Sequence, residues 1–217
     1  GMYAKCGSLS DAHIVFNKMP SQNSISWTAL IAGYADHGPG EEAIRLFDEM
    51  QLQSHSPNVI TFASVLKACG NIGSIQVGQE IHSKISRMGL IEKDVVLGTS
   101  LVDMYAKCGV LKSALEVFED LRVRNVVTWN ALIAGYTQYG AGEEALKCFN
   151  KMQDEGICPD VGTFLCTLKA CQIIRKVEVG EEIYGQIRKH GLLENDIAVG
   201  TALVDLYAKL GALEKAQ

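Results

Sequence analysis

The side chains best suited to chemistry in this 217-residue chain are seven cysteines, five histidines and the carboxylates and carboxamides that precede its apolar segments. Cys6, Cys69, Cys108, Cys148, Cys158, Cys166 and Cys171 include no CxxC pair, so neither a zinc site nor a paired redox thiol is spelled out. An odd count at irregular spacing suits a reducing compartment, where cysteine serves as a small buried apolar residue. His13, His37, His55, His82 and His190 form no HExxH and share no recurring position, which assigns them no ligand or catalytic role. Gly38-Pro39-Gly40-Glu41-Glu42-Ala43 and Gly140-Ala141-Gly142-Glu143-Glu144-Ala145 fit a GxGxxA dinucleotide pattern. A helical pattern precedes each one, where that fingerprint needs a strand, so both read as interhelical turns. The deaminase zinc pattern, HxE followed by PCxxC, is absent. These residue types lead away from catalysis, a cofactor, a metal or a small-molecule substrate. What remains is hydrogen bonding by Asn, Asp and Thr.

Spacing says more than type. Cys6 and Cys108 lie 102 residues apart, as do Cys69 and Cys171, Trp27 and Trp129, Tyr3 and Tyr105, Pro57 and Pro159, and Phe62 and Phe164. SISWTALIAGY from Ser24 matches VVTWNALIAGY from Val126, and VITFASVLKAC from Val59 matches VGTFLCTLKAC from Val161. VVLGTSLVDMYAKCG from Val95 matches IAVGTALVDLYAKLG from Ile197. The repeat therefore subdivides into units 24–58, 59–94 and 95–125, of 35, 36 and 31 residues, then 126–160 and 161–196. Partial units occupy 1–23 and 197–217. The chain begins and ends inside a unit, which reads as a fragment of a longer array.

Each unit reads as two amphipathic helices. In 126–160, Trp129, Leu132, Ile133 and Tyr136 form one apolar stripe, and Ala145, Leu146, Phe149 and Met152 form a second after the Gly140–Gly142 turn. Gly156 and Pro159 end the pair. Such a hairpin cannot bury its stripe alone, whereas stacked hairpins share a continuous core. The expected fold is all-α, a right-handed superhelical solenoid of helix-turn-helix repeats. A composition of 47% hydrophobic and 21% charged residues suits a folded domain, and no apolar stretch reaches the 18 residues of a membrane span. Trp27, Trp129, Tyr105 and Tyr136 fall on core stripes, which removes them as base-stacking platforms.

On an ideal helix, positions four, seven, eight and eleven of each unit face the core, and positions two, five, nine and thirteen lie opposite. Position two should then be polar, yet it holds Ile25, Ile60, Val96 and Val127. An aliphatic row away from the core needs something to cover it. Position five is small and often polar (Thr28, Thr99, Asn130 and Thr201), and Lys5, Lys107 and Lys209 recur at position thirteen of the shortest units.

The alternation of 35-, 36- and 31-residue hairpins, with the strings VVTWNALIAGY, EEALKCFNKM, GICPD and LVDMYAKCG, resembles plant pentatricopeptide repeat proteins, specifically the subclass cycling through P, L and S repeats. The units are then a partial S (1–23), P (24–58), L (59–94), S (95–125), P (126–160), L (161–196) and a partial S (197–217). The resemblance implies single-stranded RNA binding at one base per repeat, with position five and the last residue reading the base edge and position two packing on its face. The reading pairs become Thr28 with Asn58 and Thr99 with Asn125, both for adenine, and Asn130 with Asp160, for uracil. Thr201 lacks its partner at one end of the chain, and Asn23 at the other. An asparagine amide can donate to adenine N1, and an aspartate can accept from uracil N3–H. Ala63 with Asp94 and Leu165 with Asp196 have no polar side chain at position five, and Gly162 replaces the aliphatic position two, so the L units are expected to read little. The footprint, 5′ to 3′, is A-x-A-U-x followed by a purine.

The same resemblance implies that the repeats address organellar RNA, in a mitochondrion or chloroplast, for C-to-U editing or processing, with editing-complex proteins as further partners and no membrane. Any deaminase would lie outside this chain. Plainer readings stand beside it. Asn58, Asp94, Asn125, Asp160 and Asp196 each precede a first helix and would be chosen as caps at about 1 kcal/mol apiece. The lysines are candidate phosphate contacts, although Asp103 and Asp205 share their stripe and the net charge is −5. The alternative function is a protein-binding scaffold like the related tetratricopeptide arrays.

Overall fold

The computed structural model describes residues 7–91 and 94–211, all helix and connecting turns among those residues. In chain order the helices are α1 (Leu9–Lys18), α2 (Ser24–His37), α3 (Gly40–Leu52), α4 (Val59–Ile72), α5 (Ile75–Arg87), α6 (Val95–Lys107) and α7 (Leu111–Asp120). They continue as α8 (Val126–Gln138), α9 (Gly142–Asp154), α10 (Val161–Ile174), α11 (Val177–Lys189), a single turn α12 (Leu192–Asn195) and α13 (Ile197–Lys209). The fold is an all-α solenoid. Its helices α2, α4, α6, α8, α10 and α13 begin at the residues where the sequence repeat restarts. The chain forms two compact units, 1–122 and 123–217.

Local chemistry sets the helix starts. Asn23, Asn58, Asn125 and Asp160 sit in extended conformation as N-caps, and each forms a reciprocal capping box with Ser26, Thr61, Thr128 or Thr163 three residues on. The second helices start without a side-chain cap. Glu41 and Glu42 in α3, and Glu143 and Glu144 in α9, place negative charge at the positive end of the helix dipole instead. Gly40 and Gly142 are the first residues of these second helices rather than turn residues. A Cβ on Gly142 would stand 2.9 Å from the Ala170 carbonyl oxygen, and one on Gly40 would stand 3.1 Å from that of Ala68. Glycine is present because the second helix rests directly on the next first helix, not because a phosphate must approach.

Within the first unit α2 packs on α4 and α4 on α6, and α3 lies against α4; within the second, α8 packs on α10, α10 on α13, and α9 on α10. First helices thus form a row within each unit. Trp27, Leu30, Ile31, Phe62, Leu66, Leu101 and Val102 are buried in the first core, and Trp129, Leu132, Ile133, Phe164 and Leu168 in the second. No described helix is long and apolar enough to cross a membrane.

Candidate functional site

In each unit the row of first helices presents polar groups where one first helix meets the N-terminus of the next. In the first unit, Asn58 Oδ1 accepts the Thr61 backbone N–H at 2.9 Å, which caps α4. That bond commits the amide oxygen and turns Nδ2 outward, where it donates to Thr28 Oγ1 at 3.4 Å. Thr28 donates to the Ser24 carbonyl at 2.7 Å and lies 2.8 Å from Thr61 Oγ1. With its single hydroxyl hydrogen on Ser24, Thr28 must accept from Thr61. One hydrogen of Asn58 Nδ2 is left over on an exposed residue.

The second unit repeats this arrangement with different atoms. Asp160 Oδ1 accepts the Thr163 backbone N–H at 2.8 Å and Asn130 Nδ2 at 2.9 Å. Thr163 Oγ1 lies 2.6 Å from Asn130 Oδ1 and 2.9 Å from Asp160 Oδ1. Partial burial would raise the Asp160 pKa. Hydrogen bonds from the Thr163 backbone, the Asn130 amide and the Gly162 backbone outweigh it and hold the carboxyl below the usual range. The pair therefore carries a negative charge and an oriented carboxamide.

Exposed aliphatic side chains flank both pairs. Ile25 is 77% exposed and Ile60 61%, with Val96 and Val127 also exposed, so the position-two row is open in both units. Gly162 breaks it, and its Cα stands beside the Asn130–Asp160 pair. The missing side chain thus bears on the pair of the preceding unit, where the sequence assigned it to its own.

Other expected site residues are placed differently. Thr28, expected open, is buried at 7% exposure because Asn58 and Thr61 of the next helix lie over it. A wheel drawn on one helix cannot include that cover. Thr201 is exposed and donates to the Ile197 carbonyl at 2.8 Å. Asn23 caps α2 through Ser26 at 2.9 Å, and Asn125 caps α8 through Thr128 at 3.0 Å. Thr99 is half-buried on α6, in a different compact unit from Asn125. Lys107 and Lys209 each donate to the aspartate one turn earlier, Asp103 and Asp205, at 2.7 Å. Such solvent-accessible i,i+4 pairs contribute little, and a phosphate can compete for the lysine. Lys5 lies outside the described residues. Asp94 and Asp196 cap through the N–H two residues on, Val96 and Ala198, at 2.8 Å, and no hydroxyl stands at Leu97 or Val199.

Two kinds of residue escaped the sequence reading. Thr61 and Thr163, both fully buried, join the members of each pair, and the recurring Asn/Asp-x-x-Thr spacing was their signal. Lys67 and Lys169 occupy position nine of their units. Lys67 is held by Asp36 at 2.7 Å, whereas Lys169 is exposed with no ion pair among the described residues. No three His, Cys, Asp or Glu converge on a metal-sized site among the described residues. Burial pushes the Cys69 thiol up to about 12 and those of Cys148 and Cys171 up to about 11, so these three are inert at neutral pH.

The PPR repeat family matches residues 22–71 and 124–172, and the PPR repeat matches residues 1–24 and 99–126, together more than half of the chain. A chloroplastic pentatricopeptide repeat-containing protein of Arabidopsis thaliana is 40% identical across 99% of this chain, and a mitochondrial one is 37% identical across all of it. The chain spans 34% and 31% of their respective lengths. Among solved structures the chain is similar to the pentatricopeptide repeat protein PPR10 in complex with an 18-nt psaJ RNA element, at 20% identity and a TM-score of 0.74, over 99% of this chain and 31% of that one.

Proposed function

The chain belongs to the pentatricopeptide repeat family, and from that premise we propose that it binds single-stranded RNA, each reading pair meeting the Watson–Crick edge of one base. The observation that carries this reading is the Asn130–Asp160 pair: an ionised carboxylate and an oriented amide side by side, flanked by the exposed Val127. Asp160 Oδ2 keeps acceptor capacity, and Asn130 Nδ2 keeps one hydrogen. Together they complement a base that offers an N–H beside a carbonyl, the pattern of uracil N3–O4 and also of guanine N1–O6. Size separates the two. Asn130 is longer than the recessed Thr28 and only half-buried, which leaves a pyrimidine's depth. Over the buried Thr28, Asn58 offers a donor with room for a purine, and adenine N1 accepts it. Thr99 and Asn125 carry the same residue types as Thr28 and Asn58, and Thr201 and Asn23 carry them at position five and at the last position of their units.

The phosphates run past Lys107 in the first compact unit and past Lys169 and Lys209 in the second, and Lys5 shares position thirteen with Lys107 and Lys209. The cell compartment follows the chloroplastic and mitochondrial relatives, and the repeats supply the address at which a transcript is edited or processed. The organellar RNA is the partner, with editing-complex proteins beyond it. The P, L and S cycle accounts for why the units ending in Asp94 and Asp196 have no polar position five.

Fluorescence anisotropy with labelled RNA carrying A-x-A-U, against the same bases scrambled, tests the reading. Tighter binding to the ordered sequence that weakens steeply with salt is the expected outcome. Equal, salt-insensitive binding of both would overturn it in favour of a peptide-binding scaffold.

A further inference from the structure

The buried hydroxyl behind each pair does something that capping alone does not require. We propose that Thr163, and Thr61 in the same role, are specificity-determining positioning residues: they touch no base but fix which atoms of the reading pair face the RNA. The inference rests on the base-reading function above and deepens it. Thr163 is fully buried, so its hydroxyl acts only through Asn130 and Asp160. Its hydrogen serves the nearer acceptor, Asn130 Oδ1 at 2.6 Å, while its oxygen accepts the Asp160 backbone N–H at 3.1 Å. Asp160, being ionised, demands a donor from Asn130, and Nδ2 supplies it at 2.9 Å. The amide is thereby held at both ends: oxygen inward, NH2 along the carboxylate. Turned over, it would set its oxygen against the carboxylate and present an acceptor where uracil also presents one.

The unit junctions carry the same inference in a second way. A threonine at position three follows every unit whose position five is polar: Thr61 after Thr28, Thr128 after Thr99 and Thr163 after Asn130. Leu97 and Val199 follow the units with Ala63 and Leu165, which have no amide or hydroxyl to orient. Capping does not explain that division, because Asp94 and Asp196 cap their helices without a hydroxyl at position three. The hydroxyl appears where a reading side chain needs a fixed orientation.

Three variants of the whole 217-residue chain test this: Thr163→Val, Thr163→Ser, and Thr163→Val in an Asn130→Ala background. The first readout needs no RNA. In 15N-labelled protein the Asn130 side-chain NH2 pair is expected to be resolved and slow to exchange. It should collapse in Thr163→Val and return in Thr163→Ser, and an unchanged pair in Thr163→Val overturns the proposal. The second readout is binding of RNAs differing only in U or C at the Asn130–Asp160 base. Thr163→Val should cut the U-over-C ratio about tenfold, the worth of one oriented hydrogen bond. Thr163→Ser should restore it, and the valine should have no effect once Asn130 is alanine. A ratio that falls equally in the Asn130→Ala background assigns Thr163 a merely structural role. If the unaltered chain prefers neither base, the base-reading function fails while the amide signals still decide the orientation.

Discussion

Gly162 stands against Asp160 so closely that a Cβ on the glycine would lie 3.3 Å from Oδ1 and 3.4 Å from Asn130 Nδ2. Its counterpart 102 residues earlier is Ile60, exposed at 61% beside the Thr28–Asn58 pair. The two pairs thus differ in what can cover a bound base on that flank: an aliphatic side chain for one and open space for the other.

Gly162→Val should therefore tighten RNA binding. A valine like Val127 adds apolar surface against the base face, and about 40 Å2 at 25 cal/mol per Å2 is worth roughly 1 kcal/mol, or about fivefold in Kd. The contacts with Asp160 Oδ1 and Asn130 Nδ2 are tight, so the pair must shift by a few tenths of an ångström to admit the valine. Anisotropy titration with U at the Asn130–Asp160 base measures the gain. An unchanged or weaker Kd would remove position two from base packing.

Lys169 and Lys67 share a register position but not an environment. Asp36 holds Lys67 at 2.7 Å, and the residue 102 positions after Asp36 is the neutral Gln138. Lys169→Gln should lower the slope of log Kobs against log salt by about 0.7, one phosphate contact on a single strand. Lys67→Gln should lower it by less, because that cation is already neutralised. Equal slopes for the two variants would place the phosphates elsewhere.

Asn58→Asp separates reading from capping. Either side chain caps α4 through its oxygen, so stability should stay within about 0.5 kcal/mol. The carboxylate has no hydrogen to give adenine N1 but accepts guanine N1–H, so preference at that base should move from A toward G by about tenfold or more. A mutant altered in stability alone would leave Asn58 a cap and nothing more.

Much of this was legible in the sequence because it depends on one helix at a time. The core stripe through Trp27, Leu30 and Ile31 follows from helical period, and the caps at Asn58 and Asp160 follow from Asn or Asp before an apolar run. What was not legible depends on the neighbouring helix. Thr28 is covered by Asn58 and Thr61, Lys67 is held by Asp36 of α2, and Gly142 is small because α10 passes beneath it. A helix wheel contains no neighbour, so it assigns an open face to every residue opposite the core.

Arg175 closes α10 in the left-handed region, with φ 54°, at the position where Gly73 closes α4 with φ 70°. A side chain costs roughly 1–2 kcal/mol there, partly offset because glycine loses more freedom on folding. Arg175→Gly should stabilise the chain by about 0.5–1 kcal/mol, seen as a higher urea midpoint at unchanged slope. No gain would mean that the arginine side chain makes contacts worth as much as the strain.

His82 on α5 meets the Tyr105 hydroxyl of α6 through Nδ1 at 2.8 Å, where the neutral ring can accept the tyrosine hydrogen. Burial pushes the imidazole below its ordinary value near 6.5, and the negative charge of Asp120 opposes that only in part. Below about pH 6.5 the unfolded chain consequently binds more protons at this residue than the folded one, so stability rises with pH across that window. The contribution is complete above the ordinary value and is lost as pH falls through the depressed one. Urea midpoints at about pH 7.5 and about pH 5.5 should differ more for the natural chain than for His82→Asn, which keeps a side-chain acceptor but does not titrate. An equal pH dependence in the two proteins would show that His82 carries its ordinary affinity for the proton in the folded state.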